Sequence, residues 1–159
     1  MSSDRIEKSV VLKATRERVW QAISDASQFG RWFGMEVDGA FVAGQSVACR
    51  IRPTEVDAAV AKTQECHAGA PFELDVVALE PMTRFAFRWH AYGVEEVDPT
   101  GELKTLVEFV LSEAPEGVRL DITESGFDRI PLEARAKAFA MNEGGWEAQA
   151  GLVKKFVEA

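Results

Sequence analysis

The most constraining feature of the sequence is a strict alternation of large rings with polar or small residues. Between Arg84 and His90, the rings of Phe85, Phe87 and Trp89 share one parity. Successive side chains of a strand point to opposite faces, so this run predicts a strand with one apolar face. Two later runs, residues 103–111 and 118–124, repeat the alternation: Thr105, Val107, Phe109 and Leu111 share one face, as do Val118, Leu120, Ile122 and Glu124. The chain is therefore predicted to form a sheet with one apolar face, which another element of the fold must cover.

Other segments extend this pattern. Three further strands are predicted at residues 5–13, 46–52 and 72–79, and the first run is predicted to extend over 83–90. Prolines lie at the ends of several of these strands. Thr15 offers an N-cap for a short helix over Arg16–Ser24. The ring-rich segment 27–34, bracketed by glycines, predicts a second short helix or turn. Residues 53–71 fit a long hairpin extension, a helical turn or a mobile loop.

The end of the chain predicts one long helix starting at Pro131. Leu132, Phe139, Trp146 and Val153 recur every seven positions, flanked by Ala136, Ala150 and Val157. Glycine in a helix interior costs about 1 kcal/mol. The pair Gly144 and Gly145 therefore predicts a kink or a close backbone approach.

Length and charge narrow the classes of function. The 159 residues fit one domain spanning 1–159. A net charge of −8 argues against nucleic acid as a partner and against binding to anionic membranes. The sequence shows neither a signal peptide nor an apolar run long enough to span a bilayer, so we expect no membrane insertion and a cytoplasmic location.

The composition gives little support for a metal site or a redox site. Cys49 and Cys66 are the only cysteines and His67 and His90 the only histidines, in no metal-binding or redox spacing. We expect reduced thiols, no metal and no cofactor. The acidic segment 92–102 predicts a solvated connection.

The order of elements predicts an α+β fold in which the terminal helix covers the antiparallel sheet. The inner face is rich in stiff rings, and such rings can fill the space between sheet and helix or hold it open. Periodicity alone leaves a solid core and a hollow one both open.

Five segments carry a family resemblance. They are RVWQAI at 18–23, FGRWF at 29–33, FAFRWH at 85–90, TESGFDRIP at 123–131 and MNEGGW at 141–146. Together they resemble the START-like (SRPBCC) superfamily, and more narrowly bacterial single-domain members of its Aha-type branch, named after activators of the 90-kDa heat-shock chaperone's ATPase. The resemblance implies a helix-grip fold: a curved antiparallel sheet wrapped around the long C-terminal helix, with two short helices near the N-terminus. It also implies a deep cavity that binds apolar molecules.

Two polar residues are candidates for this interior. Glu124 shares the inward parity of Leu120 and Ile122, although a place at the strand's end or a structural pairing with an arginine would explain it equally. Asn142 lies in mid-helix, where it could orient a ligand oxygen or cap the helix around the glycine pair. His90 has the outward parity, which makes it a doubtful base. The predicted ligand-binding residues are Trp32, Phe33, Phe87, Trp89, Phe109, Glu124, Phe139, Asn142 and Trp146.

Three functions follow as hypotheses. The first is a binding protein for a small hydrophobic or aromatic ligand, with no catalytic residue. The second is an enzyme of the cyclase or hydrolase kind that uses Glu124 as acid or base. The third, regulation of a heat-shock chaperone ATPase, rests on the branch name alone, and no residue of the chain supports a chaperone contact.

Overall fold

A computed structural model describes residues 5–98 and 100–159; residues 1–4 and 99 of the predicted domain lie outside the described residues. The strands are β1 (Arg5–Leu12), β2 (Met35–Val37), β3 (Ser46–Ile51), β4 (Pro71–Glu80), β5 (Arg84–Trp89), β6 (Thr105–Ala114) and β7 (Gly117–Ser125). The helices are α1 (Arg16–Ser24), α2 (Ala26–Phe33), α3 (Ala58–Gln64) and α4 (Leu132–Glu158). Short 3-10 turns cover Glu65–His67, Val94–Glu96 and Phe127–Arg129.

The seven strands form one open antiparallel sheet in the order β1-β7-β6-β5-β4-β3-β2. Helix α4 packs across β1 and against α1 and α2 on the apolar side of the sheet. The predicted α+β fold, with its antiparallel sheet, long terminal helix and two short early helices, is confirmed. The sequence patterns did not predict the three-residue strand β2.

Local capping explains the early helices. The Thr15 hydroxyl accepts a hydrogen bond from the Arg18 amide at 3.1 Å, so α1 begins where its cap predicts. The Asp25 carboxylate caps α2 through the amides of Ser27 and Gln28. Helix α2 ends at Gly34, whose φ of 101° is the left-handed conformation that glycine adopts without strain. This turn directs the chain into β2.

The segment that the sequence left undecided is helical in its middle. Asp57 caps α3 through the amides of Ala59 and Val60. The Gln64 side chain then ties α3 to α2: its amide nitrogen donates to the Phe33 carbonyl at 3.1 Å, and its oxygen accepts from the Thr54 amide at 2.7 Å. Of the three alternatives for residues 53–71, the helical turn is the one observed.

Helix α4 buries a different stripe from the one its heptad spacing predicts. Trp146 and Val153 are buried as expected, together with Ala138, Leu152 and Val157, but Leu132 is 74% exposed. Leu132 is the first residue of α4 and the first buried residue is Ala138, so the first turn of the helix extends beyond the part that the core covers. The helix is continuous through Gly144 and Gly145, and a Cβ added at either would meet nothing within 4 Å. The predicted close backbone approach at these glycines is therefore wrong.

Among the described residues, no helix combines the length and apolar character that crossing a membrane requires.

Candidate functional site

The central polar feature of the interior is the Glu124 carboxylate on β7. Its side chain points to the face that α4 covers, and the residue is 0% exposed. Within the described part of the chain it forms no ion pair with a lysine, arginine or histidine. A buried carboxylate without a cation is stable only if other donors replace its water shell.

Four side chains supply those donors. The indole N–H groups of Trp89 and Trp146 donate to Oε2 and Oε1 respectively, each at 2.8 Å. The Asn142 amide donates to both oxygens, at 2.8 and 3.0 Å, and the Thr105 hydroxyl donates to Oε2. We call Trp89, Thr105, Glu124, Asn142 and Trp146 the Glu124 cluster.

Strand register places three members of the cluster. Trp89 on β5 is the cross-strand partner of Thr105 on β6, and Glu124 on β7 is the partner of Val107, two residues further along β6 on the same face. Side chains opposite or diagonal on one face lie within reach of one another. Thr105 shares the apolar parity of its strand but is not among the predicted ligand-binding residues. A hydroxyl among apolar neighbours of one parity is the sequence signal that marks it.

Helix α4 brings the other two members. Asn142 and Trp146 are four residues apart and so lie on one face of the helix. The Asn142 carbonyl oxygen accepts the backbone N–H of Tyr92 at 3.2 Å, which turns the amide nitrogen toward Glu124. The loop after β5 therefore positions Asn142. Asn142 binds the carboxylate instead of capping the helix, and Glu124 has neither solvent access nor an arginine partner.

The predicted ring residues fall into two groups. Trp146 contacts Phe33, Trp89 and Phe109 with ring centroids 5.7 to 5.9 Å apart, and Phe87 packs on Trp89 at 5.3 Å. Trp32 adjoins this group, with its ring 5.7 Å from Phe33 and its indole donating to the Ala22 carbonyl at 2.8 Å. Phe139 lies apart from it and packs on Phe127 at 5.1 Å. Ring contacts fill the space around Trp146, so this part of the interior is packed in the structure. Phe33, Trp89 and Asn142 are only half-buried, and they connect the cluster to the surface.

His90 points away from the cluster, as its parity predicts. Its Nε2 lies 2.9 Å from the Asp98 carboxylate, which also accepts from the Thr100 hydroxyl and the Gly101 and Leu103 amides. Burial would raise the pKa of Asp98, but the bonds from Leu103, His90 and Thr100 outweigh burial and lower it to about 2. The expectation of a solvated segment is therefore wrong for Asp98, which is buried and holds the loop together.

The cysteines differ in environment. Burial, with Asp38 and Glu73 nearby, raises the pKa of the Cys49 thiol to about 12, whereas Cys66 is exposed. In the described ranges, no three His, Cys, Asp or Glu side chains lie close enough together to hold a metal ion.

Solved structures share this architecture. DynU16, from the dynemicin biosynthetic locus, aligns with a TM-score of 0.69 and 22% identity over 98% of this chain and 48% of its own, so this chain spans about half the length of that protein. Protein MLL2253 of Mesorhizobium loti aligns with a TM-score of 0.70 and 19% identity, covering 97% of this chain and 96% of its own. The Aha1 dimer of Colwellia psychrerythraea aligns with a TM-score of 0.69 and 17% identity over 97% and 96%. The sheet and its covering helix thus define a protein of the START-like, helix-grip class.

A family model narrows this class. The model described as "Activator of Hsp90 ATPase homolog 1-like protein" matches residues 13–158. The chain belongs to this family, and the predicted resemblance is confirmed. A comparison with functionally curated proteins gave no match.

Proposed function

We propose that the protein binds a small hydrophobic or aromatic ligand between its sheet and helix α4, at the Glu124 cluster. One observation carries the proposal: a fully buried carboxylate lies among tryptophan rings and is hydrogen-bonded by neutral donors alone. Desolvating a carboxylate costs several kcal/mol, and an apolar side chain of similar volume would serve a purely structural core at least as well. Such a group is expected where a protein needs a specific polar contact in an apolar site.

The donors define the polar character of the ligand. Indole nitrogens can only donate, so the cluster offers a ligand the carboxylate oxygens of Glu124 as acceptors. The partner that suits them is an O–H or N–H group on an apolar ring or chain. The ligand donor replaces one of the present donors, and the ring stacks among Phe33, Trp89 and Trp146.

Entry takes place where the cluster reaches the surface. Trp89 and Phe33 are half-buried and their centroids lie 6.0 Å apart, whereas Trp146 behind them is buried. A ligand enters by moving the Trp89 ring aside, which breaks one hydrogen bond to Glu124 and frees one acceptor position. The site thus opens on binding.

The comparisons support a small-molecule role in general terms. One structural neighbour comes from a biosynthetic locus, which suits a protein that handles a small organic compound. The family description also keeps chaperone regulation as a second candidate. Its test is the ATPase rate of a 90-kDa heat-shock chaperone with and without this protein, and an unchanged rate removes it.

Binding is favoured over acid–base catalysis. Both oxygens of Glu124 already accept hydrogen bonds from the protein, and the side chain has no exposed surface. This arrangement holds the carboxylate in one orientation. A binding group needs only an acceptor in a fixed place.

The test compares two probes that differ in one donor. 2-Naphthol carries an O–H, and 2-methoxynaphthalene has nearly the same ring without it. Quenching of tryptophan fluorescence should show 2-naphthol binding about tenfold tighter, because a hydrogen bond to a charged group contributes about 1.5 kcal/mol or more. Glu124→Gln should reduce this preference. Phe139→Leu is the matched control, since Phe139 packs on Phe127, and should keep it. Equal affinities for the two probes, or no binding of either, would refute the proposal.

A further inference from the structure

A concave surface site lies at the C-terminal end of α4. A surface cleft of about 560 Å³ opens between α1, α2, the segment before α3 and the last two turns of α4. This volume is in the range of small-molecule sites, about 300–1,000 Å³. None of its lining residues belongs to the Glu124 cluster.

The cleft is basic in an acidic protein. Three basic side chains, Arg18, Arg31 and Lys155, line it with one acidic side chain, Glu55, while the chain as a whole has a net charge of −8. Lys155 is paired with Asp57, and the Arg31 Nε lies 3.5 Å from Glu55 with both side chains half exposed. An exposed pair such as Arg31–Glu55 contributes little to stability, so Arg31 can exchange Glu55 for another anion.

Arg18 is held in place without a negative partner. Its Nη1 donates to the Gln28 side-chain oxygen and its Nη2 to the Phe156 carbonyl, each at 3.0 Å. Its guanidinium also lies 4.7 Å from the centroid of the Phe156 ring. It forms no ion pair within residues 5–98 and 100–159. A guanidinium has five N–H donors, so Arg18 keeps donors free for a ligand.

The same ring brings the second arginine close. The Arg31 guanidinium lies 5.4 Å from the Phe156 centroid. Both arginines line the same cleft, and an anion there that contacts both would offset their like charges. Paired guanidinium forks match the oxygens of a phosphate group.

We propose that this cleft binds a small organic phosphate. The phosphate accepts hydrogen bonds from Arg18 and Arg31, and the organic part lies against Val56 and the Phe156 edge. This site is independent of the proposed function, because it shares no residue with the Glu124 cluster.

Phenyl phosphate is the probe, titrated into the full chain by isothermal calorimetry, with inorganic phosphate and phenol in parallel. Phenyl phosphate should bind most tightly and phenol not at all. Its affinity should fall as ionic strength rises from about 0.01 to about 0.1 M, where the Debye length shortens from roughly 30 to roughly 10 Å. Binding of phenol, equal binding of phenyl and inorganic phosphate, or no binding of phenyl phosphate would overturn the proposal.

Substitutions in the cleft should change the affinity for phenyl phosphate in opposite directions, depending on the charge that they remove. Arg18→Gln and Arg31→Gln should each weaken phenyl phosphate binding about tenfold, by loss of a charged hydrogen bond. Arg31→Gln keeps the test decisive if Arg18→Gln unfolds the protein. Glu55→Gln should strengthen binding about two- to threefold, because it removes the anion that competes for Arg31. Arg119→Gln, which changes an exposed arginine paired with Asp121 on β7, should bind as the wild type does. Unchanged affinity in Arg31→Gln would contradict the site.

Discussion

Replacing Glu124 with glutamine tests the central cluster most directly, because the change keeps the shape and alters only the hydrogen bonding. Each oxygen of Glu124 faces one indole N–H at 2.8 Å. Glutamine offers one oxygen and one NH₂ group, and an indole N–H cannot accept. Whichever way the amide is turned, one of the two indole N–H groups therefore faces another donor.

Asn142 cannot relieve this conflict. Its carbonyl oxygen is engaged by the Tyr92 amide, so its nitrogen stays turned toward position 124. A buried donor without a partner costs about 1–3 kcal/mol, and the remaining bonds lose their charge assistance. We expect Glu124→Gln to lower the free energy of unfolding by about 2–4 kcal/mol.

Urea unfolding followed by far-UV circular dichroism measures this loss, provided that the m-value stays unchanged. Glu113→Gln, an exposed position on β6, is the control and should remain within about 0.5 kcal/mol of the wild type. A double-mutant cycle adds a second criterion: Trp89→Phe should cost less in the Glu124→Gln background, with a coupling of about 1 kcal/mol. A loss below about 0.5 kcal/mol in Glu124→Gln, or additive effects in the cycle, would refute the hydrogen-bonding scheme.

Other positions make separate predictions. Gly144→Ala should raise the free energy of unfolding by about 0.5–1 kcal/mol, because its Cβ meets open space in a helix interior. Gly30→Ala should lower the free energy of unfolding, because a Cβ there would lie 2.4 Å from a backbone oxygen. Denaturant unfolding measures both changes. Asp98 has a pKa lowered from 3.8 to about 2, so the stability that it contributes is present above about pH 4 and is lost as the pH falls toward 2. The stability difference between wild type and Asp98→Asn should shrink across that window in acid unfolding, and a constant difference would contradict this. A thiol-reactive dye at pH 8 should label Cys66 quickly and Cys49 only after unfolding; rapid labelling of both would show that Cys49 is accessible.

Local pattern was enough to predict the strands other than β2, the helices α1 and α4, and the faces of the sheet. Thr15 marks the start of α1, and the parity of Leu120 and Ile122 placed Glu124 inside. These features depend on neighbours in sequence, through capping and through the two-residue period of a strand.

The partners of Glu124 could not be derived in the same way. Trp89 and Asn142 lie 35 and 18 residues away along the chain, and strand register and helix docking bring them to the carboxylate. The heptad spacing also placed Leu132 and Phe139 on the same face as Trp146, but the spacing does not show how far along the helix the core reaches. Whether the rings fill the space or hold it open depends on their contacts in three dimensions, which periodicity does not contain.

The order of the strands has a consequence for how the protein is made. Strand β1 pairs with β7, so residues 5–12 must wait for residues 117–125 before they find their place in the sheet. Pairing over such a separation is slow and requires nearly the whole chain to have left the ribosome. Since Asn142 and Trp146 come later still, Glu124 stays hydrated until α4 docks. We therefore expect burial of this carboxylate to be among the last events of folding.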